Sequence, residues 1–155
     1  MYLIDTNIFL EVMLSGHKRE ACKHFLNLLK TGKETGIVTE FSIYSIMVIM
    51  AGFTKKKELK TFLSSLSAYK GLSIYTATLL DKVKAVDVSL KNDLDIDDSI
   101  QYSAALSLDI QGIVSFDKHF DGLESPELTQ KIFSSLSNAS LDLDFFTKLF
   151  TLAFT

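Results

Sequence analysis

The sequence predicts an α/β fold in which a parallel sheet of four or five strands carries helices on both faces. Three observations support this. Short apolar runs of strand length alternate along the chain with longer segments of helical periodicity. Two of the strand-like runs are introduced by a glycine, Gly36 and Gly71. The connections are too short to hold a separate domain, and alternating strands and helices pack most simply as a covered parallel sheet.

Taken in order, Tyr2–Ile4 reads as a short buried strand. Thr6–Leu14 continues as one or two helical turns ending at Ser15 and Gly16. His17–Leu29 places Ala21, Phe25, Leu28 and Leu29 at helical spacing and stops at Thr31-Gly32. Gly36–Thr39 is a second strand, and Thr39 is a candidate N-cap for the apolar segment from Phe41 to Ala51. Lys55–Ala68 is amphipathic, with Leu59, Phe62, Leu63 and Leu66 on one side. Gly71–Tyr75 is a third strand. The helix Thr78–Leu90 is expected to face inward through Leu79, Leu80, Val83, Val86 and Leu90. Asp97–Leu108 forms a further helix and Gly112–Phe116 a fourth strand.

Residues 1–122 are expected to form one unit and 123–155 a C-terminal extension. Glu124–Asn138 is polar and contains the sole proline, Pro126. Leu141–Phe154 then turns apolar again, with a helix start at Ser140 or Asp142, and is expected to pack on the main body or on a partner.

A chain of 155 residues can bury a sizeable core. Its net charge of -3 gives no global attraction for nucleic acid, so contact with a polyanion has to be local or run through a bound cation. One cysteine, Cys22, excludes an internal disulfide and is expected to be a small buried residue. With no basic leader and no uncharged run of the ~20 residues that a membrane span requires, the chain reads as cytoplasmic.

The chemistry is expected at one rim of the sheet. In parallel sheets, sites form beyond the carboxyl ends of the strands. Asp5 ends the first strand, Glu40 follows the second, Asp97 and Asp98 open the helix before the fourth, and Asp117 lies just past the fourth. Each has a plainer reading alone: Asp5 as a helix cap, Glu40, Asp97 and Asp98 as charges in the first turn of a helix, Asp117 as a turn residue. Together they crowd carboxylates, whose proton affinities rise unless a cation neutralises them. An all-oxygen cluster suits Mg²⁺ or Mn²⁺, which also bind phosphate oxygens and support phosphodiester hydrolysis.

These residues resemble the PIN-domain ribonucleases, in particular the VapC-like toxins of toxin–antitoxin pairs. The resemblance covers roughly residues 1–122. "LIDTNIFLEVML" looks like the opening motif, with Asp5 on the metal and Thr6 and Asn7 as buttresses. "LDIDDSIQYSAAL" is similar to the third motif, with Asp98 as metal ligand and Asp97 as a neighbouring acid. "GIVSFDKHF" is similar to the fourth, with Ser115 supporting and Asp117 binding metal or water. The second motif departs: its usual Glu falls near Ser45, and the nearest acid is Glu40. The resemblance implies a three-layer PIN-like fold with strand order 3-2-1-4-5. It also implies metal-dependent endoribonuclease action leaving a 5′-phosphate and a 3′-hydroxyl, a cognate antitoxin and a homodimer, for which the helices between Phe41 and Ala68 are the candidate interface.

Rival readings are weaker. "DLDIDD" from Asp93 starts like an EF-hand loop but has Asp98 where Gly is needed and Ala104 where Glu is needed. An aspartate-nucleophile phosphatase needs an acid where Asn7 stands. His17 and His24 have no cysteine cluster and suggest no zinc site. "KKKELK" (Lys55–Lys60) reads first as a solvated helix face, and Lys118 and His119 flank Asp117 closely enough to meet a substrate. The alternative from another class is a PIN-like scaffold of weak catalytic power that binds protein or RNA.

Overall fold

The computed structural model describes residues 1–108, 110–117 and 120. Four strands, β1 (Tyr2–Ile4), β2 (Gly36–Thr39), β3 (Leu72–Tyr75) and β4 (Gly112–Val114), form a parallel sheet in the order β3-β2-β1-β4. Six helices join them among the described residues: α1 (Thr6–Met13), α2 (Arg19–Thr31), α3 (Glu40–Gly52), α4 (Lys56–Leu66), α5 (Leu79–Asn92) and α6 (Ile96–Ser107). The four described strands keep the expected order. The expectation of a fifth strand and those for the extension 123–155, Lys118 and His119 fall outside the described residues.

The sheet has two covered faces because successive residues of a strand point to opposite sides. Ile4, Val38 and Val114 enter one core with Ile8, Phe9, Leu29 and Ile46, built from α1 to α4. Their chain neighbours Leu3, Ile37 and Ile113 enter the other, with Tyr102, Ala104 and Ala105 of α6. The central strand β1 thus sees protein on both sides. The expected stripe of α4 (Leu59, Phe62, Leu63 and Leu66) packs against the first core, where Phe62 meets Phe9 at a ring-centroid separation of 5.4 Å.

Local signals end the elements as the residue types dictate. Thr39 caps α3 by accepting the Ser42 N–H at 3.0 Å. Gly32 closes α2 in the left-handed region at φ 78°, where a Cβ is costly. Gly71 is required by contact: a Cβ there would sit 2.0 Å from the Glu34 carbonyl oxygen.

One expectation is reversed. Leu79, Leu80, Val83, Val86 and Leu90 face outward, and the residue α5 buries is Ala85. The capping box between Thr78 and Asp81, with the Tyr75 hydroxyl also donating to Asp81, fixes the start of α5 so that its less apolar side meets α6. Periodicity located the stripe, but it cannot say which side of a helix the protein covers.

Candidate active site

The site forms where β1 and β4 end side by side. Ile4 pairs with Val114, and the Asp5 N–H continues the ladder to the Val114 carbonyl at 3.1 Å. Asp5 and Ser115 are therefore adjacent although 110 residues separate them. Asp5 stands at the N-cap position of α1, yet its carboxylate makes no capping bond. Instead it accepts the Ser115 hydroxyl on Oδ2 at 2.5 Å and Gln101 Nε2 on Oδ1 at 3.0 Å.

Ser115 is the junction of this network. Its oxygen accepts Asn7 Nδ2 at 3.0 Å and the Asp117 backbone N–H at 2.9 Å, so the turn carrying Asp117 is tied to the acid that ends β1. Ser115 is fully buried, Asp5 is 5 % exposed and Asp98, in the first turn of α6, is 7 % exposed. Thr6 begins α1, and its backbone N–H helps to hold the Asp5 carboxylate.

Burial dominates the electrostatics. Asp5 is pushed from the ordinary carboxylate range up to about 6, chiefly by loss of solvent and further by the negative charge of Asp117. Hydrogen bonds from Ser115 and Gln101 oppose the shift without cancelling it. Asp97 is also raised, first by desolvation and then by Asp95 and Asp117. At Asp5 and Asp97 desolvation is the larger cause of the shift and repulsion between carboxylates the smaller.

Asp5, Asp97 and Asp117 thus share one electrostatic environment. Glu40 is engaged elsewhere: it accepts the Tyr44 hydroxyl at 3.2 Å, one turn along the exposed side of α3. Asp93 and Asp95 serve as end residues of helices, Asp93 at the left-handed C-cap of α5 and Asp95 at the N-cap of α6. Cys22 is buried, and its thiol is pushed up to about 12, mainly by burial.

Two residues of the site escaped the sequence reading. Gln101 lies one helical turn beyond Asp98, and that i+3 spacing was its available signal. Lys18 places its Nζ 4.3 Å from the centre of the Phe116 ring, between Ser115 and Asp117 in sequence. It comes from the α1–α2 loop, where its backbone N–H is held by the buried Glu11 carboxylate.

The donor set is made of hard oxygens. Asp5 accepts from Ser115, Gln101 and the Thr6 N–H, and Asn7 Oδ1 and Gln101 Oε1 are buried without a hydrogen-bond partner. Among the described residues, no group of three or more His, Cys, Asp or Glu side chains is placed to hold a metal ion. Mg²⁺ does not require one, since it retains waters and binds through one or two carboxylates plus phosphate oxygens. The chemistry of these residues fits such an ion.

A family model described as the PIN domain matches residues 2–125. The chain belongs to the PIN domain family. The PIN fold is shared with solved structures at low identity. One is a toxin–antitoxin complex from Klebsiella pneumoniae, with TM-score 0.62, 19 % identity, and coverage of 84 % of this chain and 97 % of that one. Another is Mycobacterium tuberculosis VapC20, a sarcin–ricin loop cleaving toxin, with TM-score 0.64, 10 % identity, and coverage of 76 % and 90 %. Among curated proteins none matches the sequence. No helix among the described residues of this PIN domain is long and apolar enough to cross a membrane.

Proposed function

We propose that this PIN-domain protein is a Mg²⁺- or Mn²⁺-dependent endoribonuclease and the toxin of a toxin–antitoxin pair. The observation that carries the reading is the buried Asp5 carboxylate. It is held by Ser115 and Gln101, shares its field with Asp117, and is costly to keep charged unless a cation joins it. The solved relatives described as a toxin–antitoxin complex and as a sarcin–ricin loop cleaving toxin support RNA as substrate and an antitoxin as partner.

In this reading Asp5, Asp98 and Asp117 hold the ion, with Asp97 assisting. When bound, the ion supplies Lewis acidity and neutralises phosphate charge. The protein's own part is positional. Ser115 and Gln101 fix the Asp5 carboxylate, Asn7 holds Ser115, and the Ser115–Asp117 contact sets the turn after β4. Lys18, stacked on Phe116, brings a positive charge to this edge of an acidic protein. The reaction is in-line attack of water on a phosphodiester, leaving a 5′-phosphate and a 3′-hydroxyl.

A second reading, a PIN scaffold that binds protein or RNA with little catalysis, is favoured by one observation. The second-motif position holds Ser45, and Glu40 is turned to Tyr44. Titration with Mn²⁺ in a nuclease assay on single-stranded RNA separates the two. Cleavage that requires Mn²⁺ and is lost in Asp5→Asn supports the enzyme. Absence of ion binding at millimolar concentration supports the scaffold.

The homodimer belongs to the same proposal. Tyr44, Val48 and Phe53 are exposed on and just after α3, within the candidate interface 41–68. Light scattering that reports a monomer alone would remove it.

A further inference from the structure

Helix α5 is amphipathic in the reverse sense. Its inner side carries Asp81, Ala85, Val88 and Asn92, and only Ala85 is fully buried. Leu79, Val83, Val86 and Leu90 follow at intervals of four, three and four residues on the opposite side. They are 79, 52, 47 and 81 % exposed. A continuous apolar seam of this spacing is the kind that a second helix covers, and no described element covers it.

Residues 141–154 have the composition to cover it. Read as a helix at about 100° per residue, Phe145, Phe146, Leu149, Phe150 and Leu152 fall in one broad apolar sector, while Asp144, Thr147, Lys148 and Thr151 gather opposite. The segment has the same length as α5, fourteen residues, or ~21 Å of helix. The twenty residues 121–140 before it can span up to roughly 66 Å, so its reach is ample. The PIN match ends at residue 125, so this segment lies beyond it.

We propose that residues 141–154 of this chain dock along the Leu79–Val83–Val86–Leu90 seam of α5 as an intramolecular helix that completes the outer layer on that side of the sheet. The proposal is independent of the nuclease reading.

Paired cysteines in the full-length chain test it. Val83→Cys is combined in turn with Phe146→Cys, Leu149→Cys or Phe150→Cys and treated with a short bis-maleimide over a hundredfold dilution series; Cys22 is buried and stays unreactive. The expected product from at least one pair is a cross-linked monomer whose yield does not change with dilution. Cross-linked dimer alone, fading on dilution, overturns the proposal in favour of a second copy, and so does absence of cross-linking in all three pairs. Hydrogen exchange supplies a second readout. Full-length Phe145→Asp/Leu149→Asp is expected to exchange α5 amides on the order of tenfold faster than the parent, with strand amides unchanged. Equal exchange in α5 also overturns it.

Discussion

Ser115 gives its hydroxyl proton to Asp5 across the β1–β4 boundary, and the same oxygen receives the Asn7 amide and the Asp117 backbone N–H. One buried hydroxyl therefore holds three segments of the site. Ser115→Ala should strand the Asn7 Nδ2 and Asp117 N–H donors and deprive Asp5 of its strongest helper. The expected cost is about 1–3 kcal/mol, read as a lower urea midpoint with an unchanged slope. Asp5 should also titrate higher, measured by carboxyl NMR.

The charge on Asp5 is itself a load on the fold. Its proton is bound more tightly in the folded chain than in the unfolded one, at about 6 against 3.8. In that interval the folded state holds more protons, so this group's contribution to stability falls as pH rises, and the loss is complete above about 6. The gap corresponds to about 3 kcal/mol. Asp5→Asn in the metal-free protein should therefore match the parent near pH 3.5 and become more stable through this window, reaching a plateau above it. Thermal melts of both proteins across pH check this; a difference that does not vary with pH contradicts the assignment.

A divalent ion should reverse that load. Binding to the folded state alone adds about 2.7 kcal/mol at a hundredfold excess over Kd. Millimolar Mn²⁺ should raise the melting temperature of the parent and raise that of Asp5→Asn much less. Equal shifts in the two proteins would place the ion elsewhere.

Asp98, buried at the start of α6, should be indispensable for cleavage and dispensable for folding. Asp98→Asn is expected to reduce Mn²⁺-dependent RNA cleavage to background while its circular dichroism and melting stay at or above parental values. Cleavage at the parental rate would exclude Asp98 from the ion.

Gly71 and Gly52 have opposite surroundings, one crowded and one open. Gly71→Ala forces the Glu34 carbonyl to move and disturbs the Gly36–Gly71 and Gly71–Leu29 hydrogen bonds, which should cost about 1–3 kcal/mol. At Gly52 a Cβ meets nothing within 4 Å, so Gly52→Ala at the end of α3 should be neutral or stabilising by up to about 1 kcal/mol. Denaturant titration of the pair decides.

The sequence by itself determined the order of the elements, because apolar periodicity and caps such as Thr39 act within a few residues. It also placed Asp5 and Asp117 at one rim, since each follows a strand of a parallel sheet and such strands end together. Only the tertiary structure decided three further matters. It brought Gln101 to Asp5, a contact between residues 96 positions apart. It made desolvation, which depends on everything packed around a carboxylate, outweigh repulsion at Asp5. And it turned the apolar seam of α5 outward, because helical period is set by the backbone whereas the covered face is set by which neighbours arrive.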